Sequence, residues 1–276
     1  MSSGTPQGAV LSPTLFNYFV DDLRDIIGIG DGIHFGQYAD DIAIWSTNSC
    51  PKQAEKDINE ALKKIAIWTC KWRIKLAPEK SVFMHFSRRP TIRKTTLDIK
   101  LLGESVKQVS SHRFLGVKFD DRLEWHTHVN EMLNSATPRI NAIKRLAAKS
   151  IWRNPKWILR LHEAVVNSIW KFGVLGYATA GVGIWDKITK CHSRCIKAYS
   201  GLPNYVGYET ICNALGIKTI KDELMSFGKK RLRSIAAFSP FGPEILNGRR
   251  PNASGVYKSP SEVLLDDTEI DTLNGY

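Results

Sequence analysis

Between residues 12 and 23 apolar side chains fall at Leu15, Phe16, Phe19, Val20 and Leu23, the three-and-four spacing of a helix with one buried face. Ser12 stands where an N-cap would, and Pro13 fills the favoured first position of a helix. A helix is therefore predicted from this point, fed by a loop that Gly4, Pro6 and Gly8 punctuate. The period then changes from 3.6 to 2. Residues 33–38 are rich in strand formers and Ile42-Ala43-Ile44-Trp45 alternates in the same way, so Tyr38-Ala39-Asp40-Asp41 reads as a hairpin with both aspartates at its tight turn. Helical spacing returns over 53–75, where Ile58, Leu62, Ile65, Trp68 and Trp72 predict an amphipathic helix packed against a sheet. Val82, Met84 and Phe86 alternate as a strand over 81–86. The segment 97–120 reads as short strands, one pair turning near Gly103-Glu104.

After Leu123 helical patterns dominate. Val129, Met132, Leu133, Ala136, Ile140, Ile143 and Leu146 mark one helix, kinked or interrupted at Pro138. A second begins at Asn154-Pro155 and carries Ile158, Leu161, Val165, Ile169 and Phe172, and two more are predicted near 186–199 and 218–234. From Phe238 onward Pro, Gly, Ser and Asn gather ahead of an acidic run at 265–271, the composition of a disordered tail. The pattern thus predicts an α+β chain: an antiparallel sheet with packed helices over 1–122, a helical region over 123–235, and a tail over 236–276.

Charge narrows the partner. A formal net charge of +12 and a pI near 9.5 favour a polyanion, nucleic acid ahead of an anionic membrane surface. Cys50, Cys70, Cys191, Cys195 and Cys212 are odd in number and scattered, and no basic, apolar leader opens the sequence. An intracellular protein, nuclear or cytoplasmic and not secreted, is expected. No run reaches the roughly 18 apolar residues of a membrane span, so no membrane partner is expected.

Asp40 and Asp41 are the chief candidates for chemistry. Two like charges about 4 Å apart repel by roughly 4 kcal/mol at an effective dielectric near 20, which water or a cation must compensate. In the loop, Gly4 and Gly8 remove side chains where backbone can approach a ligand, and Gln7 offers both a donor and an acceptor. Cys191-His192-Ser193-Arg194-Cys195 can be read as zinc ligands or as core cysteines. Only Cys191 and Cys195 share a helical face, and no second pair has matching spacing, which favours the core. His126 and His128, two apart, would point in different directions on a helix. The basic run Lys229-Lys230-Arg231-Leu232-Arg233 is either a phosphate contact or a solvated face.

Four segments, in order, resemble the reverse transcriptase of non-LTR, jockey-like retrotransposons. They are GTPQGAVLSPTLFNYFVDDL at 4–23, YADD at 38–41, the Trp68/Trp72 helix leading to LAPEKSVFMHF at 76–86, and FLGVKFDDRLEWHTHV at 114–129. The resemblance implies a partial polymerase palm followed by a helical thumb and C-terminal region. It also implies RNA-templated extension of a DNA primer with deoxynucleotides, and Mg²⁺ (or Mn²⁺) as cofactor. It makes Asp40 the principal and Asp41 the accessory metal ligand. Gln7, Gly8, Tyr38 and Ala39 would lie beside the nucleotide and template, Lys80 would give a proton to leaving pyrophosphate, and Phe114, Leu115 and Gly116 would form the primer grip. It implies, too, a further metal-binding aspartate and basic fingers placed upstream of Pro6-Gln7-Gly8. Without that upstream segment as a partner, the chain alone is expected to be inactive, with a non-catalytic nucleic-acid-binding remnant as the alternative.

Overall fold

A computed structural model describes residues 6–28, 32–87, 89–148, 155–203, 205–238 and 264–265. The chain divides into two compact units, Met1–His112 and Arg113–Tyr276.

The first unit is organised by one long helix. Helices α1 (Ser12–Phe19) and α2 (Leu23–Ile27) precede a hairpin of β1 (Ile33–Tyr38) and β2 (Asp41–Ser46), and α3 (Pro51–Trp72) follows. The two strands are antiparallel, with Ile33 opposite Ser46 and Tyr38 opposite Asp41. In this register Ile33, Phe35 and Ile44 share a face, and they join Val20, Leu23 and Ile27 in packing on Ala61, Ile65 and Trp68 of α3. The Trp68 indole N–H donates to Asp22 Oδ1 at 2.9 Å, fixing the α1–α2 corner to the helix. Farther along α3, the Asn59 amide acts as a substitute strand. Its Nδ2 donates to Asp98 O at 2.8 Å and its Oδ1 accepts from Lys100 N–H at 2.8 Å.

Short pieces complete this unit: a 3-10 turn at Pro78–Lys80, β3 (Val82–Phe83), α4 (Pro90–Arg93), β4 (Lys100–Leu101), β5 (Glu104–Ser105) and β6 (Lys107–Gln108). Ile99, Leu101 and Val106 form a small core that Ile58, Leu62, Leu76 and Phe83 flank. The class is α+β, but three expectations change. Instead of one antiparallel sheet, the strands pair in twos, and β3 runs parallel to β6. The strand predicted over 81–86 shrinks to Val82–Phe83, because its partner offers only two residues. In α1, Phe16 packs inward while Leu15 and Phe19 stay 53% and 38% exposed. The helix ends at Phe19 and the chain turns before α2, which breaks the apolar stripe. Nor does Ser12 cap that helix. Leu11 occupies the N-cap, and Ser12 Oγ donates instead to Pro6 O at 2.6 Å.

At the division between the units come β7 (Ser111–Phe114) and β8 (Val117–Asp120), paired with each other. The division precedes the predicted boundary at 122 because β8 is tied to the helix after it: Lys118 N–H donates to His128 Nδ1 at 3.2 Å. Helix α5 (His126–Ala147) runs through Pro138 without interruption, and Thr137 Oγ1 donates to Leu133 O at 2.9 Å one turn back. Its approach is set by Asp120. Oδ1 accepts from the N–H groups of Arg122 and Glu124, and Oδ2 accepts from Trp125 N–H at 2.8 Å, which holds Trp125 at φ +66°.

Next come α6 (Pro155–His162), a π-helical segment Glu163–Asn167 and α7 (Ser168–Lys171), which follow one another without a break along the predicted helix, and then α8 (Val174–Tyr177). The break after Lys171 leaves helix carbonyls without partners, and the fully buried Tyr177 donates its hydroxyl to Trp170 O. Helices α9 (Val182–Ser200), α10 (Tyr208–Leu215) and α11 (Ile220–Phe238) complete the bundle. Its core includes Trp125, Val129, Trp170, Ile188, Ile196 and Leu224. The predicted tail begins inside α11, which reaches Phe238, and Leu264 and Leu265 are buried beside Ala178 and Leu232. The remainder of 236–276 lies outside the described residues.

The core of this bundle holds two histidines. His162 Nδ1 lies 3.1 Å from Tyr199 Oη, His192 Nδ1 lies 2.6 Å from Tyr208 Oη, and the two imidazole centroids are 5.3 Å apart. Ile220 N–H donates to Tyr208 Oη at 2.8 Å, so the Tyr208 hydroxyl links the start of α11 to His192. In the zinc-or-core stretch, helix α9 places His192 and Cys195 in the core and Cys191 at its edge.

Two stability predictions follow from these contacts. Asp22→Ala strands the N–H of the buried Trp68 and should cost about 1–3 kcal/mol in urea unfolding followed by tryptophan fluorescence, whereas Asp21→Ala, on an exposed side chain, should cost less than about 0.5 kcal/mol. The second concerns acid. Burial pushes His162 down to about 3, helped by nearby His192, and pushes His192 down to about 4. An unfolded histidine binds its proton near 6.5. Both histidines therefore stabilise the fold fully above about pH 6.5, and that contribution is lost as pH falls toward 4 and 3. Urea midpoints taken between pH 7.5 and 5 should decline, and the decline should be shallower in His192→Gln.

Candidate active site

The Asp40–Asp41 hairpin is held by its inner face and strained at its tip. Ala39 and Asp40 form the two-residue turn, and Asp41 is the first residue of β2 rather than a second turn residue. Ala39 adopts φ +52°, the left-handed region that two-residue hairpin turns demand at their first position. For a residue with a Cβ this costs about 1–2 kcal/mol. Gln37 holds the strained turn by donating from Nε2 to Ala39 O at 3.0 Å. Nothing in the alternation of the strand singled Gln37 out. Asp40 and Asp41 are both exposed, as is Tyr38 at 68%.

On the outer face of the hairpin, Tyr38 and Asp41 are followed by the small pair Gly36 and Ala43, and then by His34 and Trp45, stacked at 5.5 Å. A Cβ on Gly36 would come within 3.4 Å of the Trp45 ring.

The other predicted residues divide between the two units. Gln7 and Gly8 are exposed in the loop before α1. Gly8 has φ +84° with open space around its Cα, so its glycine serves the turn rather than clearance. Gly4 lies outside the described residues. Lys80 closes the 3-10 turn, its N–H donating to Ala77 O at 3.1 Å, and its side chain is exposed. Among the described residues no ion pair joins Lys80 to Asp40 or Asp41, and no cluster of three or more His, Cys, Asp or Glu forms around any point. Asp22, at the α1–α2 corner, is committed to Trp68.

Phe114, Leu115 and Gly116 belong to the second unit. Phe114 ends β7, and Leu115 and Gly116 form a two-residue turn with φ +47° and +82°. This is a tight hairpin, not a bulged strand. A Cβ on Gly116 would lie 2.9 Å from the Phe172 ring. Arg113 braces the turn by donating from Nη1 to Gly116 O at 3.2 Å, while its Nη2 and the Lys118 ammonium both engage Glu131. Those two cations, the Lys118 hydrogen bond first, hold the Glu131 carboxyl below its ordinary range. Trp125 and His128 of the same motif are buried against each other, ring centroids 6.2 Å apart, so they build the corner instead of facing a ligand.

Residues 1–119 match the family described as reverse transcriptase (RNA-dependent DNA polymerase). The chain is similar to a probable RNA-directed DNA polymerase from transposon BS of Drosophila melanogaster, 27% identical over 236 residues that cover 81% of this chain and 25% of that protein. It is also similar to the RNA-directed DNA polymerase from mobile element jockey of Drosophila funebris, 24% identical over 83% of this chain and 25% of that protein. The Pol polyprotein from a type-1 retrotransposable element of Nasonia vitripennis is 27% identical over 52% of this chain and 35% of its own length. The chain thus spans about a quarter of the length of the first two relatives. No solved structure matches it significantly.

The strain at Ala39 reverses an ordinary rule. Replacing alanine by glycine commonly costs about 0.5–1 kcal/mol, but here Ala39→Gly relieves the positive φ and should leave stability unchanged or raise it by up to about 1 kcal/mol in urea unfolding. A β-branched residue cannot relieve it, and Ala39→Val should be destabilising.

Proposed function

We propose that the chain is the palm and thumb part of an RNA-directed DNA polymerase of a non-LTR retroelement, working inside the cell on an RNA template and a DNA primer. The observation that carries this reading is the pair Asp40 and Asp41, exposed at the tip of an anchored, strained hairpin within the matched residues 1–119. Two carboxylates are hard oxygen donors suited to Mg²⁺, which keeps several waters and needs few protein ligands. Asp40 would be the principal ligand and Asp41 the accessory one. When bound, divalent metal supplies activation of the primer hydroxyl and neutralisation of the pyrophosphate charge.

The chain's own side chains have distinct tasks in this reading. Gln7 offers its amide to the nucleotide or template base, beside the bare backbone of Gly8. Tyr38 and Ala39 lie beside the nucleotide and template, next to Asp41. Lys80 gives a proton to the leaving pyrophosphate. In the second unit, the turn at Leu115–Gly116, braced by Arg113, presents an apolar edge to the primer terminus. A metal site of two carboxylates is one aspartate short of the set that the family resemblance implies, so residues 1–276 alone are proposed to be inactive. The +12 charge supports nucleic-acid binding with or without catalysis.

The test is incorporation of labelled deoxynucleotide on an RNA template with magnesium. Residues 1–276 should give no templated extension. A fusion to the upstream segment that the family resemblance implies should extend the primer, and Asp40→Ala in the fusion should reduce extension at least about a hundredfold, a loss of a few kcal/mol of transition-state stabilisation. An active fusion indifferent to Asp40→Ala would overturn the assignment of the site. An inactive fusion that still binds nucleic acid would favour the non-catalytic reading.

A further inference from the structure

Beside α6 the second unit has a cleft that the polymerase reading does not use. A cavity of about 260 Å³ is lined by Leu159, Ile196, Leu215 and Ile217 on its walls, with His162 and His192 among its deeper residues. Lys156, Arg160 and Lys218, all exposed, bring positive charge to its rim. Two acids, Glu163 and Glu223, also line it and share one cation: Lys171 Nζ lies 2.8 Å from Glu223 and 3.6 Å from Glu163, and Asn167 Nδ2 donates to Glu223 Oε2 at 2.9 Å. Next to this rim Trp157 is 57% exposed, with the Arg160 guanidinium 5.3 Å from its ring centroid.

We propose that this cleft is a binding site for single-stranded nucleic acid, in which one base stacks on Trp157, the phosphates lie along Lys156, Arg160 and Lys218, and a neighbouring base enters the cavity. Three features lead there. The cavity falls just below the roughly 300–1,000 Å³ of a site for a drug-sized ligand, so it suits one heterocyclic ring. Its aliphatic walls accept a flat, weakly polar face, burial keeps both histidines neutral, and three cations on the rim outnumber the two lining carboxylates, which share Lys171. An exposed aromatic ring beside clustered cations is the arrangement that holds single strands without sequence preference, by stacking and phosphate contact together. A duplex keeps its bases paired and could present only phosphates.

The proposal concerns a surface apart from Asp40 and Asp41 and needs neither metal nor deoxynucleotide, so its failure would leave the polymerase reading untouched. The test is an anisotropy titration of the full chain with a fluorescein-labelled eight-nucleotide single-stranded RNA of mixed sequence and with a duplex of the same length, in EDTA. Trp157→Ala should weaken single-strand binding about tenfold and duplex binding less than twofold. Trp157→Phe should retain most of the affinity, and Arg160→Gln should lower the slope of log K against log salt by about one. Lys52→Gln, an exposed lysine of the first unit, should change single-strand affinity less than twofold. Circular dichroism should be unaltered in Trp157→Ala, whose ring is mostly exposed. Single-strand binding indifferent to Trp157→Ala, or equal losses on single strand and duplex, would overturn the proposal. So would binding to phosphatidylserine vesicles that Trp157→Ala abolishes while RNA binding persists.

Discussion

A two-stranded hairpin has almost no stability of its own in water, so the position of Asp40 and Asp41 depends on what the hairpin is packed against. Here that is α3, through Ile33, Phe35 and Ile44 on one side and Ala61, Ile65 and Trp68 on the other. The same helix receives the α1–α2 corner through the Trp68–Asp22 bond and the segment around Lys100 through Asn59. A residue on α3 can therefore alter the placement of the carboxylates without touching them. The apolar attachment fixes the face of the hairpin, since slipping the register by one residue would turn Phe35 and Ile44 out to solvent. It leaves the turn itself to local forces, and those are the positive φ of Ala39 and the Gln37 side chain that bridges to it.

The second unit solves a different problem. A helical bundle whose chain leaves the helix after Lys171 and after Tyr177 exposes backbone groups inside its own core, and each must find a partner. Tyr177 serves the carbonyl of Trp170, Tyr208 serves the N–H of Ile220, and Asp120 serves three N–H groups ahead of α5. These polar residues do structural work in motifs that also read as functional. The Trp125-x-x-His128 signature is the clearest case, because both rings are buried and His128 Nδ1 accepts the N–H of Lys118.

What was legible in the sequence followed from repetition. Ile58, Leu62, Ile65 and Trp68 recur often enough to outweigh local accidents, and α3 extends from Pro51 to Trp72 much as their spacing predicts. The hairpin was legible because two alternating runs flank a two-residue turn. The strand predicted over 81–86 was not a strand beyond Phe83, since alternation reports which face is apolar and says nothing of whether a partner strand is present. The π-helical segment at Glu163–Asn167 shifts the helical phase by a residue, which a 3.6 period cannot register. Ser12 failed as a cap because the helix begins one residue earlier than predicted, with Leu11 at the N-cap and Ser12 already in the first turn. His162 and His192 were invisible as core residues for a different reason. Their burial depends on tyrosines 37 and 16 positions away, contacts that only the tertiary fold creates.

The same reasoning bears on the carboxylates. Buried side by side, Asp40 and Asp41 would repel by several kcal/mol, but both are exposed on the hairpin tip, where water reduces the cost at about 4 Å to roughly 1 kcal/mol. Exposure thus lets the pair exist without a cation, and it also limits how strongly the pair alone could hold one, because each carboxylate must exchange a full hydration shell for a single shared ligand. Tight binding requires that water be excluded and that a further oxygen donor converge on the same point. The described residues bring no third acidic group there, and Asp22 is bound to Trp68. The hairpin therefore fixes where the two carboxylates stand, through its packing on α3 and the strained turn at Ala39, while leaving both in water.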